Sequence, residues 1–409
     1  MSIIKKIPIS ALKPGMFILE LDISWLKSPF LRHHRRVENQ NDILLLKHAG
    51  VRLVSIDLEK SFDILSKTDK STTSDNLNKK IAIDEQQNNS ALSPAKDSST
   101  AVVVQTTPLS EELKTAKVIQ GKIHKLVNKL NENVKSGNPI SVKGILPIIN
   151  ESLDSIKRND QALLTKLHLH RKDKRLDAHA FATFSLILTL ALKIGCTKKQ
   201  IEILGMTALL HDCGWSKLPI NLFGKGKKYT PGEKLLVKQH TKLASQALRK
   251  SKGIDENIIQ LIEQHHEISN GKGYPRQLQA EQLHSLHNLL QVVDLYDEHL
   301  HGLEDSPAIL AVNALKNLYQ KSTIGWFPQS LVSEMIRILG IYPINSVVKL
   351  TSGEIAIVTE INRKLTLLPR VKLTHDSEQQ IFEKPILLDL AEDKQHRLII
   401  NVLEPSIFS

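Results

Sequence analysis

The middle of the chain, from about residue 109 to residue 340, has the hydrophobic periodicity of α-helices. Thr107-Pro108 is a dipeptide typical of a helix start, and apolar residues follow it at intervals of three and four from Ala116 to Leu130. Turns that contain glycine and proline interrupt this pattern further along without replacing it. The pattern therefore predicts an all-helical core domain at 109–340.

The two ends of the chain have the shorter β-branched runs that are typical of strands. These runs stand next to turn signals and are too short for helices. We therefore predict a small α+β domain at 1–63 and a small β-rich module at 341–409. The runs themselves are 16–19, 51–56, 346–350, 354–358 and 397–402.

Residues 64–108 have a different composition from the rest of the chain. They are mostly Ser, Thr, Asn, Asp, Gln and Lys, with almost no aromatic residues and no sustained periodicity. Such a segment cannot bury enough apolar surface to fold by itself, so we predict a flexible linker. The predicted fold class is mainly α, with the helical core domain between two small domains that contain strands.

One apolar run, at 184–194, raises the question of a membrane segment. It is interrupted by Lys193 and ends at Gly195, well short of the roughly 20 residues that are needed to cross a bilayer. We predict a buried helix there and no membrane partner. The N-terminus lacks the apolar core of a secretory signal, and two cysteines are too few for a disulfide framework, which favours a cytoplasmic protein.

The net charge alone does not identify a partner. The chain has 55 Lys and Arg against 43 Asp and Glu, a formal charge of +12, which suits nucleic acid, anionic lipid or a phosphorylated small molecule. Much of the surplus lies in 109–175, which has 14 basic and 7 acidic residues. This stretch has no aromatic residues to stack bases, so we predict no nucleic-acid partner. A solvated helix face or a homodimer contact remains open.

The adjacent pair His211-Asp212 follows the apolar stretch 203–210 and is the first sign of chemistry. Two polar groups at the end of a buried helix are costly unless both are satisfied. Metal coordination would satisfy them, because a carboxylate can bridge two cations while the imidazole binds one of them. A capping aspartate beside a core histidine would have the same sequence, so the pair alone does not decide.

More histidines and another aspartate accompany this pair in the same helical domain. They lie on separate predicted helical segments, apart from the adjacent His265 and His266, and together they favour a metal site over a set of unrelated core residues. The seven candidate ligands are His179, His211, Asp212, His240, His265, His266 and Asp294.

This set, followed by Gly271-Lys272-Gly273-Tyr274-Pro275, resembles the HD-GYP subgroup of the HD-domain metal-dependent phosphohydrolases. The resemblance covers roughly residues 110–340. The first 63 residues look like an uncharacterised domain that is often found ahead of HD-GYP domains. The resemblance implies a helical HD-type domain that holds two divalent metal ions, iron or manganese.

The resemblance also implies an activity, the hydrolysis of the second messenger cyclic di-GMP to linear pGpG or GMP in bacterial signalling. His179, His211, Asp212 and Asp294 would hold one metal; Asp212, His240, His265 and His266 would hold the other. Asp212 would be the bridge, and His211 and Asp212 would act in catalysis by activating a water molecule. Signalling proteins such as diguanylate cyclases are the further partners that the resemblance suggests.

The chain departs from the family pattern where substrate phosphates would be held. Trp215 replaces a common lysine, Leu303 stands near the place of an arginine, and Arg175 replaces a glutamate that holds a third metal in some members. Lys217 and the loop residues Gly273, Tyr274 and Pro275 are the predicted substrate contacts. Two functions are therefore possible: an enzyme with altered phosphate contacts, or a regulatory module that keeps the metal site. If the protein is the enzyme, Trp215→Lys should raise its rate of hydrolysis.

Overall fold

A computed structural model describes residues 4–22, 35–37, 40–48, 50–57, 61, 107–169, 174–303 and 306–404. The chain divides into two compact units, residues 1–104 and 105–409. The predicted linker at 64–108 lies outside the described residues except for its last two positions.

The described part of the first unit is a small α+β structure. Its sheet has the order β1-β4-β2-β3, and each neighbouring pair is antiparallel. Ile18, Val54 and Ile56 of the strands and Ile43 and Leu46 of the helix are buried, so the helix supplies part of the core. The elements are β1 (Ile4–Pro8), β2 (Phe17–Leu21), β3 (Arg35–Arg36), α1 (Gln40–His48) and β4 (Leu53–Asp57).

Helices make up most of the second unit, and the helical core that the sequence predicted is confirmed. Local sequence fixes several of their ends: Thr197 and Thr230 each form a capping box, and Pro231 occupies the first turn of its helix. The helices are α2 (Leu109–Ser136), α3 (Ile145–Arg158), α4 (Gln161–Leu169), α5 (Leu176–Lys193), α6 (Lys198–Leu210), α7 (Pro231–Val237), α8 (His240–Arg249), α9 (Glu256–Gln264), α10 (His287–His301), α11 (Ala311–Thr323) and α12 (Gln329–Leu339).

Helix α5 lies at the centre of this unit. It contacts α2, α3, α4, α6, α10 and α12, and Phe181, Phe184 and Ile187 are among its buried side chains. Among the described residues it is the one helix whose length and composition would suit a membrane span, but 78% of it is buried inside the protein. It therefore packs as the central core helix, as the sequence predicted for this run.

The second unit ends in a five-stranded antiparallel sheet. Its order is β8-β7-β6-β5-β9, so β5 pairs with both β6 and β9. The three runs that the sequence identified correspond to β5, β6 and β9, whereas β7 and β8 were not among them. The strands are β5 (Val347–Leu350), β6 (Ile355–Glu360), β7 (Arg370–His375), β8 (Ile381–Asp389) and β9 (Ile399–Leu403).

Asp160, between α3 and α4, ties this sheet to the helices. The carboxylate is 1% exposed, contacts the Arg363 guanidinium, and lies 2.9 Å from Lys193 Nζ. Burial raises the pKa of Asp160, but the hydrogen bond and charge of Arg363, followed by those of Lys193, outweigh burial and leave it below its ordinary value. The folded state therefore favours the charged carboxylate.

We expect Asp160→Asn to lower the free energy of unfolding by about 3 kcal/mol at neutral pH, because two cations lose their buried partner. Urea denaturation of both proteins measures the difference. The folded-state pKa is depressed, so the difference should be present above about pH 4, the unfolded pKa, and disappear as pH falls through the folded pKa. Asp154→Asn is the control, because its ion pair with Lys157 is exposed. Equal stability of both variants would contradict this account.

Candidate metal centre

The predicted ligands converge on one buried site although five different segments carry them. Each segment places its side chains near a helix end or on a helix face that is turned toward the cluster. Six of the seven are at least nine-tenths buried, and His266 lies at the margin of the cluster. They are His179 in the first turn of α5, His211 and Asp212 after α6, His240 at the start of α8, His265 and His266 after α9, and Asp294 in α10.

Asp212 lies at the centre of the cluster and faces imidazoles on both sides. Its Oδ2 lies 3.4 Å from His179 Nε2 and 3.6 Å from His211 Nε2. Its Oδ1 lies 3.5 Å from His240 Nε2 and 3.6 Å from His265 Nε2. The two oxygens of one carboxylate thus address two separate groups of nitrogen donors, which is the arrangement of a bridging ligand.

Each group has further members. On one side, Asp294 Oδ1 lies 3.0 Å from His179 Nε2 and 3.3 Å from His211 Nε2. On the other side, the ligand atoms of His240, His265 and His266 all lie within 4.8 Å of one another. Imidazole and carboxylate donors in groups of three or four suit divalent transition metals.

The histidine rings are held in one orientation by their Nδ1 atoms. In four of them Nδ1 faces an oxygen acceptor, so Nδ1 carries the proton and the Nε2 lone pair of the neutral ring faces the cluster. The acceptors are Ala208 O for His211 at 2.9 Å, Val237 O for His240 at 2.6 Å, Ile262 O for His265 at 2.7 Å, and Asp297 Oδ2 for His179 at 2.6 Å.

This orientation provides a test of whether a cation fits. His179 Nε2 lies 3.2 Å from His211 Nε2, and His240 Nε2 lies 3.1 Å from His265 Nε2. With Nδ1 donating, each pair brings two lone pairs face to face, which is unfavourable unless a cation or a proton shares them. The donor set of this chain therefore fits divalent metal binding on both sides of Asp212.

The pKa of His240 suits a metal ligand, and the pKa of Cys213 does not suit a covalent nucleophile. Burial lowers the pKa of His240 to about 4, so this ring is neutral and can coordinate at pH 7. Burial would raise the pKa of Asp212, but the imidazoles around it, His211 first, hold it below its ordinary value. Burial and then Asp212 raise the pKa of the adjacent Cys213 to about 12, so this thiol stays protonated.

Two carboxylates at the site were not predicted as functional residues. Asp297 is buried, accepts from His179 Nδ1, and lies 3.0 Å from His301 Nδ1, so it positions His179. Glu298 groups with His266 and Asp294, all ligand atoms within 4.8 Å of one another. Their spacing could have identified them, because residues three and four positions after Asp294 lie on the same face of a helix as Asp294.

The loop after the paired histidines is anchored by Glu267. This fully buried carboxylate accepts from the backbone N–H groups of Arg276 at 2.5 Å and Leu278 at 2.9 Å. Gly273 lies so close to the backbone of Glu267 that a Cβ at position 273 would be 2.4 Å from Glu267 Cα. Tyr274 follows and stacks on the His266 ring, with centroids 4.7 Å apart. The loop therefore lies directly beside the cluster of candidate ligands.

Trp215 and Leu303, two of the residues that depart from the family pattern, are buried against other parts of the protein. Trp215 is 4% exposed; its ring stacks on His240 with centroids 4.9 Å apart and packs against Phe223. Leu303 is 1% exposed, and its carbonyl accepts from Gly224 N. Lys217 Nζ donates to Lys135 O at 2.9 Å. A phosphate contact from Lys217 therefore remains a prediction.

Comparison with protein families divides the chain into two regions. A domain of unknown function, DUF3391, matches residues 4–145 and so includes the first long helix α2. An HD domain matches residues 148–330, which contain every candidate ligand described above. Each match covers less than half of the chain, and together they account for most of it.

Several curated proteins are similar to this chain. Cyclic di-GMP phosphodiesterase PA4108 from Pseudomonas aeruginosa is 26% identical over 404 residues, which cover 98% of this chain and 92% of that protein. A cyclic di-GMP phosphodiesterase from Vibrio cholerae is 27% identical over 189 residues, 43% of this chain and 36% of that protein. The response regulator RpfG from Xanthomonas campestris, also a cyclic di-GMP phosphodiesterase, is 29% identical over 128 residues, 31% of this chain and 34% of that protein.

A solved structure is also similar to the chain. Bd1817, a HDG"Y"P protein from Bdellovibrio bacteriovorus, aligns with a TM-score of 0.47 and 22% identity over 82% of this chain and 99% of that chain. The domain matches and the curated relative that spans nearly the whole chain agree with the motifs of the sequence. The chain thus contains a region that matches DUF3391 and, after it, a region that matches an HD domain, and over nearly its whole length it is similar to a protein named as a cyclic di-GMP phosphodiesterase.

Proposed function

We propose that this chain is a metal-dependent phosphodiesterase that hydrolyses cyclic di-GMP to linear pGpG or GMP in the bacterial cytoplasm. The observation that carries the proposal is Asp212, whose two oxygens lie between two groups of metal donors. The names of the similar curated proteins give the substrate class. The mixture of imidazole and carboxylate donors supports iron or manganese as the two metals.

Some residues of the site would hold the ions, and others keep the histidine rings in position. His179, His211 and Asp294 would hold one ion and His240, His265 and His266 the other, with Asp212 shared. When bound, two such ions supply a water of lowered pKa and positive charge beside the phosphate. The acceptors at each Nδ1 keep the four rings fixed while the phosphate charge changes, so little reorganisation accompanies the reaction.

Substrate binding is assigned to the loop beside the cluster and to one lysine. Gly273, Tyr274 and Pro275 would form one wall, since Tyr274 already stacks on His266. Lys217 would approach a phosphate after leaving Lys135 O, which it contacts in this structure. Diguanylate cyclases or a second copy of the chain remain proposed partners.

The second candidate function is a regulatory module that binds metal without rapid turnover. The observation that favours it is the burial of Trp215 and Leu303, neither of which offers a cation to a phosphate. A charge-assisted contact to a phosphate contributes about 1.5 to 3 kcal/mol, so the loss of two could slow turnover about 100-fold or more.

One experiment separates the two functions. The full chain is loaded with Fe(II) or Mn(II) under reducing conditions and incubated with cyclic di-GMP, and the products are separated by chromatography. We expect pGpG or GMP to form with metal and not after chelation. Stoichiometric metal binding without product beyond that of an Asp212 variant would favour the regulatory module. Absence of bound metal would contradict both.

A further inference from the structure

A lysine stands at the rim of the site, beside the loop that follows the paired histidines. Lys238 lies two residues before His240, in the turn between α7 and α8. Its Nζ lies over the Tyr274 ring, 5.2 Å from the centroid, and that ring stacks on His266 with centroids 4.7 Å apart. We propose that Lys238 is a substrate-binding residue whose ammonium group holds the phosphate of cyclic di-GMP that is not being hydrolysed.

The backbone around Lys238 is tied to the cluster of candidate ligands. Val237 O, one residue before Lys238, faces His240 Nδ1 at 2.6 Å, and both Val237 and His240 are buried. Lys238 N donates to Lys234 O at 3.2 Å, which continues the last turn of α7. The backbone of Lys238 therefore has a fixed place beside His240, while the side chain is exposed and can change its position.

The ammonium group of Lys238 is available to a ligand. Among the residues that the structure describes, no carboxylate lies within ion-pair distance of Lys238 Nζ, which contacts the Tyr274 ring. In contrast, Lys225 donates to Glu233 at 2.6 Å, and Lys217 donates to a backbone carbonyl at 2.9 Å. A partly exposed aromatic ring holds a cation weakly, whereas a phosphate accepts a charge-assisted hydrogen bond from it. A bound phosphate should therefore draw Lys238 away from Tyr274.

The position of Lys238 suits the second phosphate of the substrate better than the first. The proposed ions, and the phosphate that is cleaved, would lie among the Nε2 atoms around Asp212. Lys238 lies outside these donors and is linked to them through Tyr274 and His266. In a cyclic dinucleotide a ribose separates the two phosphates on each side of the ring, so the second phosphate lies several ångströms from the metals, toward the rim.

A cation at this rim also matters because of the two departures described above. Trp215 and Leu303 are buried and offer no charge to a phosphate. Lys238 would supply one charge-assisted contact that these two positions do not provide. The inference rests on the proposed function, because it names the group that binds the second phosphate of the proposed substrate.

The test compares two substrates. The Mn(II)-loaded full chain and Lys238→Met are assayed with cyclic di-GMP and with bis(p-nitrophenyl) phosphate, a diester that has a single phosphate. Methionine keeps an apolar stem against Tyr274 but has no ammonium group. We expect the KM for cyclic di-GMP to rise about 10-fold while kcat changes less than about threefold. The KM for bis(p-nitrophenyl) phosphate should rise less than about twofold, because this substrate has no second phosphate.

Two further variants separate charge from packing. Lys238→Arg keeps the cation and should restore most of the affinity for cyclic di-GMP. Lys242→Met, which removes an exposed lysine two residues after His240, is the matched control and should keep the wild-type KM. Elemental analysis should find equal metal content in all four proteins. An unchanged KM for cyclic di-GMP in Lys238→Met, or an equal rise for both substrates, would overturn the inference and leave the proposed function intact.

Calorimetry with cyclic di-GMP distinguishes failure of the inference from failure of the proposed function. If wild type binds cyclic di-GMP without hydrolysing it, and Lys238→Met binds it about 10-fold more weakly, the proposed function is rejected and Lys238 remains a ligand-binding residue. Equal binding by both proteins would reject the role of Lys238. A wild-type protein that neither binds nor hydrolyses cyclic di-GMP would reject both.

Discussion

Asp212→Asn should abolish turnover of cyclic di-GMP, by at least about 10³-fold, and should reduce the metal content of the purified protein. The asparagine side chain has the same shape but only one acceptor oxygen, and its NH₂ group would face imidazole lone pairs or a cation. One of the two donor groups would therefore lose its central ligand, whichever way the amide turns. Product chromatography measures turnover, and elemental analysis measures the bound metal.

Asp177→Asn is the matched control for this change. Asp177 is also a buried aspartate that faces a histidine, His124 Nδ1 at 2.6 Å, but it is not among the clustered donor groups. It should keep the wild-type metal content. If Asp212→Asn retained two metal equivalents and more than about a tenth of the wild-type rate, Asp212 could not be the shared ligand.

The sequence identified the residues that converge on the candidate site better than the residues that position them. Each candidate histidine has an unusual place, at the end of an apolar stretch or beside another histidine, so it stands out in the sequence. Asp297 and Glu298 do not stand out in the sequence. Helix α10 is buried on several sides, so its hydrophobic pattern does not reveal which face meets the cluster. That choice depends on how α10 packs against α5, which is a long-range property of the fold.

There is also a physical reason why strand β8 was not predicted from the sequence. It is an edge strand with most residues exposed, so its apolar and polar positions do not alternate as in a half-buried strand. Pro385 lies within it, and proline is normally evidence against a strand. An edge strand tolerates proline because one of its sides makes no ladder hydrogen bonds, and only the sheet order shows that β8 is at the edge.

Trp215 is the position where structure changes a prediction most. From the sequence, a lysine at this position restores a family contact and should raise the rate. In the structure the Trp215 side chain lies in an apolar cluster with Leu222, Tyr229 and Val237 and stacks on His240. A lysine there would leave a cavity and bury an ammonium group without a partner.

We therefore expect Trp215→Lys to lower the free energy of unfolding by about 3 kcal/mol or more and to lose metal from the group that contains His240, with no gain in rate. Urea denaturation and elemental analysis measure both effects. Trp215→Phe is the control: it keeps a ring against His240 and removes an indole N–H that has no hydrogen-bond partner among the described residues, so it should cost about 1 kcal/mol. A lysine variant as stable as wild type and faster with cyclic di-GMP would show that this side chain can reach the substrate, and that the buried position is not the one used during turnover.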